Sequence, residues 1–119
     1  MHTSVMVANS GEQESRDLGA LLESHHYRII WANALTNLES QVRESDCQAL
    51  ILDLDRFSVD NRFIRELSRQ RPGLFIIALS SRRFHPELQE AMSFHISACL
   101  VKPVDMDELL FWLRSLGDR

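Results

Sequence analysis

The chain has 119 residues, 45% of them hydrophobic and 25% charged, values of a globular protein rather than a disordered one. Thirteen basic against seventeen acidic residues leave a net charge of −4, the wrong sign for a domain whose business is gripping phosphate backbones, so no direct nucleic-acid contact is expected. No uncharged apolar run approaches the roughly 18 residues of a membrane-spanning helix. Met1-His2-Thr3-Ser4 lacks the basic and apolar regions of a secretory leader, so a cytoplasmic location is expected.

Ser4-Val5-Met6-Val7-Ala8 is a short apolar run entering the turn Asn9-Ser10-Gly11, and reads as a buried strand. Ser10 and Gln13 stand at capping-box spacing before a helix carrying Leu18, Leu21 and Leu22. Tyr27 to Trp31 reads as a second strand, and Leu35, Leu38 and Val42 mark the next helix. Ala49-Leu50-Ile51-Leu52 is uninterruptedly apolar and ends in Asp53-Leu54-Asp55. Phe63, Ile64 and Leu67 support a third helix stopped by Pro72-Gly73, and Leu74 to Leu79 is a fourth strand ended by Ser80-Ser81. Pro86 suits the first turn of a helix running to His95. Ile96 to Val101 is a fifth strand closed by Lys102-Pro103, and Asp105 with Glu108 caps a last helix through Leu116.

Five strands, each followed by a helix, with no Gly/Ser/Pro-rich linker between them, imply one domain over residues 1–119: a parallel sheet with helices on both faces. Strands that are apolar throughout fit this, because both their faces are covered. Open sheets of this kind carry their site beyond the carboxyl ends of the strands. Those ends bring together a carboxylate (Asp53), a hydroxyl (Ser80) and an ammonium (Lys102). Cys47 and Cys99 form no C-x-x-C pair and read as reduced thiols in the core. His25, His26, His85 and His95 read as structural or surface groups, and the arginines at 62, 65 and 69 as a solvated helix face.

Leu50-Ile51-Leu52-Asp53, Ile76-Ile77-Ala78-Leu79-Ser80 and Leu100-Val101-Lys102-Pro103, in this order and at these intervals, make the chain resemble the CheY-like receiver domains of two-component response regulators, from Val5 to Leu116. The resemblance implies a doubly wound, flavodoxin-like fold with a five-stranded parallel sheet in the order 2-1-3-4-5. It implies a signalling module rather than an enzyme with its own substrate. Asp53 would accept a phosphoryl group from a histidine kinase or phosphotransfer protein, assisted by Lys102 as a point charge and Ser80 as a hydrogen-bond donor. Pro103 matches the family's proline after the lysine, where a cis bond is expected.

Several positions depart from the pattern. The acidic pair that holds Mg²⁺ at the end of the first strand is replaced by Ala8 and Asn9, which leaves Asp53, Asn9 and Asp55 as the residues of a weak or absent site. Losing a carboxylate about 4 Å from a unit charge forfeits up to roughly 4 kcal/mol at an effective dielectric of 20. Asp55 reads either as a turn-forming Asx residue or as a compensating carboxylate. Arg56, beside the acceptor, offers charge that a metal would otherwise supply. The aromatic switch residue three before the lysine is Cys99. Phe111 and Trp112 lie outside the core stripe of the last helix and read either as simple packing or as an interface patch. In receivers the last two helices and the strand between them form the usual dimer surface, and an effector domain often follows. Two functions are therefore open: phosphoacceptance at Asp53, or a pseudo-receiver that binds or dimerises without phosphate.

Overall fold

The computed structural model describes residues 3–8, 12–32 and 34–118. Five strands, β1 (Ser4–Ala8), β2 (Arg28–Ala32), β3 (Ala49–Asp53), β4 (Phe75–Ser80) and β5 (Ile96–Val101), form one parallel sheet in the order β2-β1-β3-β4-β5. The helices are α1 (Glu12–Ser24), α2 (Leu38–Glu44), α3 (Asn61–Gln70), α4 (Gln89–Phe94) and α5 (Met106–Arg114). The doubly wound architecture and strand order are those expected from the sequence.

Alternation along the buried strands sorts side chains into two layers. Met6, Leu50, Leu52, Ile76 and Ala78 face α2, α3 and α4, meeting Leu38, Val42, Ile64, Leu67 and Ala91. Val5, Val7, Ile51, Ile77 and Leu79 face α1 and α5, meeting Leu18, Leu22, Leu109 and Leu113. Leu18 and Leu22 are wholly buried, and each such side chain contributes roughly 1.5–3 kcal/mol.

Helix ends follow the sequence closely. The Asp105 carboxylate accepts from the amides of Asp107 (2.9 Å) and Glu108 (3.3 Å), starting α5. Asp60 caps α3 by accepting from Phe63 N (2.8 Å). Pro86 opens a turn of 3-10 helix, Pro86–Leu88, so the α-helical part of the fourth helix begins later, at Gln89. The second strand starts at Arg28 rather than Tyr27, and the fourth at Phe75 rather than Leu74. Between Ile76 and Ile77 the pairing of β4 with β5 shifts: Ile76 faces Ile96 but Ile77 faces Ala98, leaving Ser97 as an extra, exposed residue. Among the described residues no helix is long and apolar enough to cross a membrane. Cys47 is a buried free thiol and Cys99 a half-buried one, and burial raises the pKa of the Cys99 thiol.

Candidate functional site at the strand ends

Parallel pairing places Asp53 beside Leu79 in the sheet and Ser80 beside Val101, so the carboxyl ends of β3, β4 and β5 form one rim. Two main-chain hydrogen bonds hold it, Leu54 N to Leu79 O and Lys102 N to Ser80 O, both 2.8 Å. The Lys102–Pro103 peptide bond is cis.

Asp53 is 0% exposed, and a buried carboxylate requires compensation. The Lys102 ammonium supplies it, donating to both carboxylate oxygens at 3.0 and 2.9 Å. The Asp55 amide adds a third hydrogen bond, 2.9 Å from Oδ1 of Asp53. Lys102 Nζ also lies 3.1 Å from the Asp55 carboxylate and 3.7 Å from that of Glu14, in α1. Burial pushes the Lys102 pKa down, but hydrogen bonds to Asp53 and Asp55 and the nearby negative charges outweigh it and hold the pKa above the ordinary lysine value. Burial likewise pushes the Asp55 carboxyl up. The Ser81 amide and Lys102 more than reverse this, leaving Asp55 below the usual carboxylate range. Asp55 accepts from Ser81 N (3.1 and 3.2 Å) and Ser81 Oγ (3.2 Å), tying the turn after β3 to the end of β4.

Of the three groups expected to converge, Asp53 and Lys102 are in direct contact. Ser80 occupies the neighbouring strand end, but its buried hydroxyl is engaged elsewhere: Oγ lies 2.7 Å from Nε2 of His85 and accepts from Arg82 N at 3.0 Å. Arg56 is exposed in the turn; its amide donates to the Asp53 carbonyl (3.3 Å), and among the described residues its guanidinium makes no ion pair with Asp53. Cys99 lines a cleft beside Met92, Phe84 and His85. Asn9 lies outside the described residues, while Ala8 is buried at the end of β1. Phe111 is 64% exposed and stands edge-on to the Trp112 ring (5.3 Å between centroids), while Trp112 also packs on Phe75 (6.3 Å), so Trp112 is the inner of the two.

Two participants escaped sequence reasoning. Glu14 stands in α1, and only tertiary packing brings it to Lys102. His85 carried a weak signal, lying five residues after the hydroxyl and just before Pro86. The carboxylate oxygens of Asp53 and Asp55 are of the hard, anionic kind that Mg²⁺ takes, and these two residues would hold it. Among the described residues no group of three or more His, Cys, Asp and Glu is arranged to hold a metal.

Comparison with known proteins gives a consistent picture. The family model described as response regulator receiver domain matches residues 5–114. A response regulator from Thermotoga maritima is 17% identical, with full coverage of both chains and a TM-score of 0.83. The receiver domain of a sensor histidine kinase from Pseudomonas aeruginosa PAO1, with a magnesium ion coordinated in its active-site cleft, is 20% identical over 98% of this chain and 99% of that one, with a TM-score of 0.80. A chemotaxis protein, CheY4 of Vibrio cholerae, is 16% identical over the same shares with a TM-score of 0.81. A search of curated proteins found no match.

Proposed function

The chain belongs to the response regulator receiver domain family, and from that premise we propose that it accepts a phosphoryl group on Asp53 in a phosphorelay. The observation that carries this reading is the pairing of Asp53 with Lys102, a buried carboxylate and an ammonium joined by two hydrogen bonds at the rim. Transfer from a phosphohistidine of a kinase or phosphotransfer protein would form a bond from an Asp53 oxygen to phosphorus and break the phosphorus–nitrogen bond. There is little other covalent chemistry to assist, so catalysis rests on positioning and charge neutralisation. Both Asp53 oxygens are covered by Lys102, so the lysine must swing aside to admit the phosphoryl group; its flexible four-carbon stem permits this. The same ammonium then neutralises phosphoryl oxygens.

Mg²⁺ would be held by Asp53 and Asp55, and its chemistry there is to neutralise phosphoryl charge. With Ala8 and Asn9 in place of an acidic pair, binding is expected to be at least about tenfold weaker than with one more carboxylate in the set. Incubation with a small phosphodonor and Mg²⁺, read by intact mass, tests the reading: a gain of one phosphoryl group in the wild type that disappears in Asp53→Asn supports it. Ala8, buried and apolar where the acidic pair is expected, favours the alternative of a phosphate-independent interaction module. Protein that stays unmodified at millimolar Mg²⁺ decides for that alternative.

A further inference from the structure

Ser80 has one hydroxyl proton and a position next to the acceptor, yet its oxygen is bound to His85 (2.7 Å) and to the Arg82 amide (3.0 Å). His85 is itself buried, and it sits at a junction. Its carbonyl accepts from Leu88 N (2.9 Å) at the 3-10 turn that leads into α4. The residue before it, Phe84, is 83% exposed. An ion pair between Arg82 and Glu87 brackets the same loop. Beside the imidazole lies a cleft of about 510 Å³, lined by Phe84, His85, Pro86, Met92 and Cys99. The small Cys99 side chain at its wall leaves room into which a ring can turn.

We propose that His85 is a positioning residue for the acceptor site: it holds the Ser80 hydroxyl off Asp53, and an anion bound at Asp53 releases it. This rests on the reading of Asp53 as phosphoacceptor. A phosphoryl group presents three strong acceptor oxygens where none stood before. Turning the Ser80 side chain by one rotamer step, about 120°, exchanges the bond to His85 for one to those oxygens. The imidazole, no longer held, turns into the cleft, and the loop bearing Phe84 and the start of α4 moves with it.

The probe is beryllofluoride with Mg²⁺. Occupancy is followed by ¹⁹F NMR and the His85 ring by ¹⁵N–¹H correlation, in wild type, His85→Leu, His85→Gln and Ser80→Ala. On saturation the His85 ring signals shift, and Ser80→Ala shows the released signals without probe. His85→Leu binds the probe about threefold to tenfold more tightly, the worth of one hydrogen bond no longer broken, and His85→Gln, which can restore that bond, returns the affinity toward wild type. Bound probe with an unmoved His85 ring overturns the proposal alone, as does a His85→Leu protein that binds no more tightly. Absence of bound fluoride from wild type and every variant overturns the phosphoacceptor reading, and this proposal with it.

Discussion

Lys102 reaches Asp55 at 3.1 Å with the same ammonium that clasps both oxygens of Asp53, and Glu14 stands 3.7 Å away on a third side. One cation therefore serves three carboxylates, and the two ways of breaking the cluster differ in cost. Lys102→Met leaves a fully buried carboxylate and two neighbours of like charge, and is expected to destabilise the fold by about 3 kcal/mol. Asp53→Asn keeps Lys102 paired with Asp55 and Glu14 and preserves an acceptor for the Asp55 amide, so its effect is expected within about 1 kcal/mol. Urea unfolding of both variants at neutral pH measures the asymmetry. The Lys102 contribution is present below about pH 10.4 and is lost as pH rises through its raised folded-state value.

Asp55 supplies an acid-side test. Its folded-state pKa lies below the ordinary value, so its ionised form stabilises the fold above about pH 3.9. That contribution disappears as pH falls through the lowered value. An asparagine can still accept from Ser81 N but carries no charge toward Lys102. The stability difference between wild type and Asp55→Asn should accordingly hold steady from pH 7 to about 5 and close below about pH 3.9. Denaturant midpoints across that range check it; a gap that widens toward acid contradicts it.

Gly73 has a φ of +89°, and no atom lies within 4 Å of the position its Cβ would take. The penalty for Gly73→Ala is thus conformational and not steric crowding, about 1 kcal/mol in thermal or urea unfolding.

The aromatic neighbours of α5 should separate in the same assay. Phe111→Ser removes a largely exposed ring whose edge-on contact is with Trp112, and is expected to change stability by no more than about 1 kcal/mol. Trp112→Ala removes a ring packed on Phe75 and on the Leu109–Leu113 layer, and should cost about 2 kcal/mol. If the α4–β5–α5 face pairs two copies, Phe111→Ser shifts the sedimentation of concentrated protein toward monomer.

The sheet was legible because Val5-Met6-Val7, Ala49 to Leu52 and Phe75 to Leu79 are apolar without interruption, which only strands covered on both faces tolerate. Asp53 and Lys102 were legible as polar residues closing such runs. Their near neighbours were less so. Glu14 lies far along the chain from Lys102, and no local pattern brings them together. The Ser80–His85 bond depends on the path of a five-residue loop, which neither propensity nor periodicity specifies. Phe111 and Trp112 are both apolar, and the roughly 100° between successive helical residues decides which turns toward the core, a phase that the sequence leaves open where apolar residues run together.

The supernumerary Ser97 has a consequence for the lysine. Ser97 is the residue that the pairing skips, so Ile96 and Ala98 stand opposite the consecutive Ile76 and Ile77. An extra residue of this kind bends its strand and tightens the local twist. Ser97 thus puts a bend between the end of β5 anchored by Ile96 and the end that delivers the Lys102 amine to the rim.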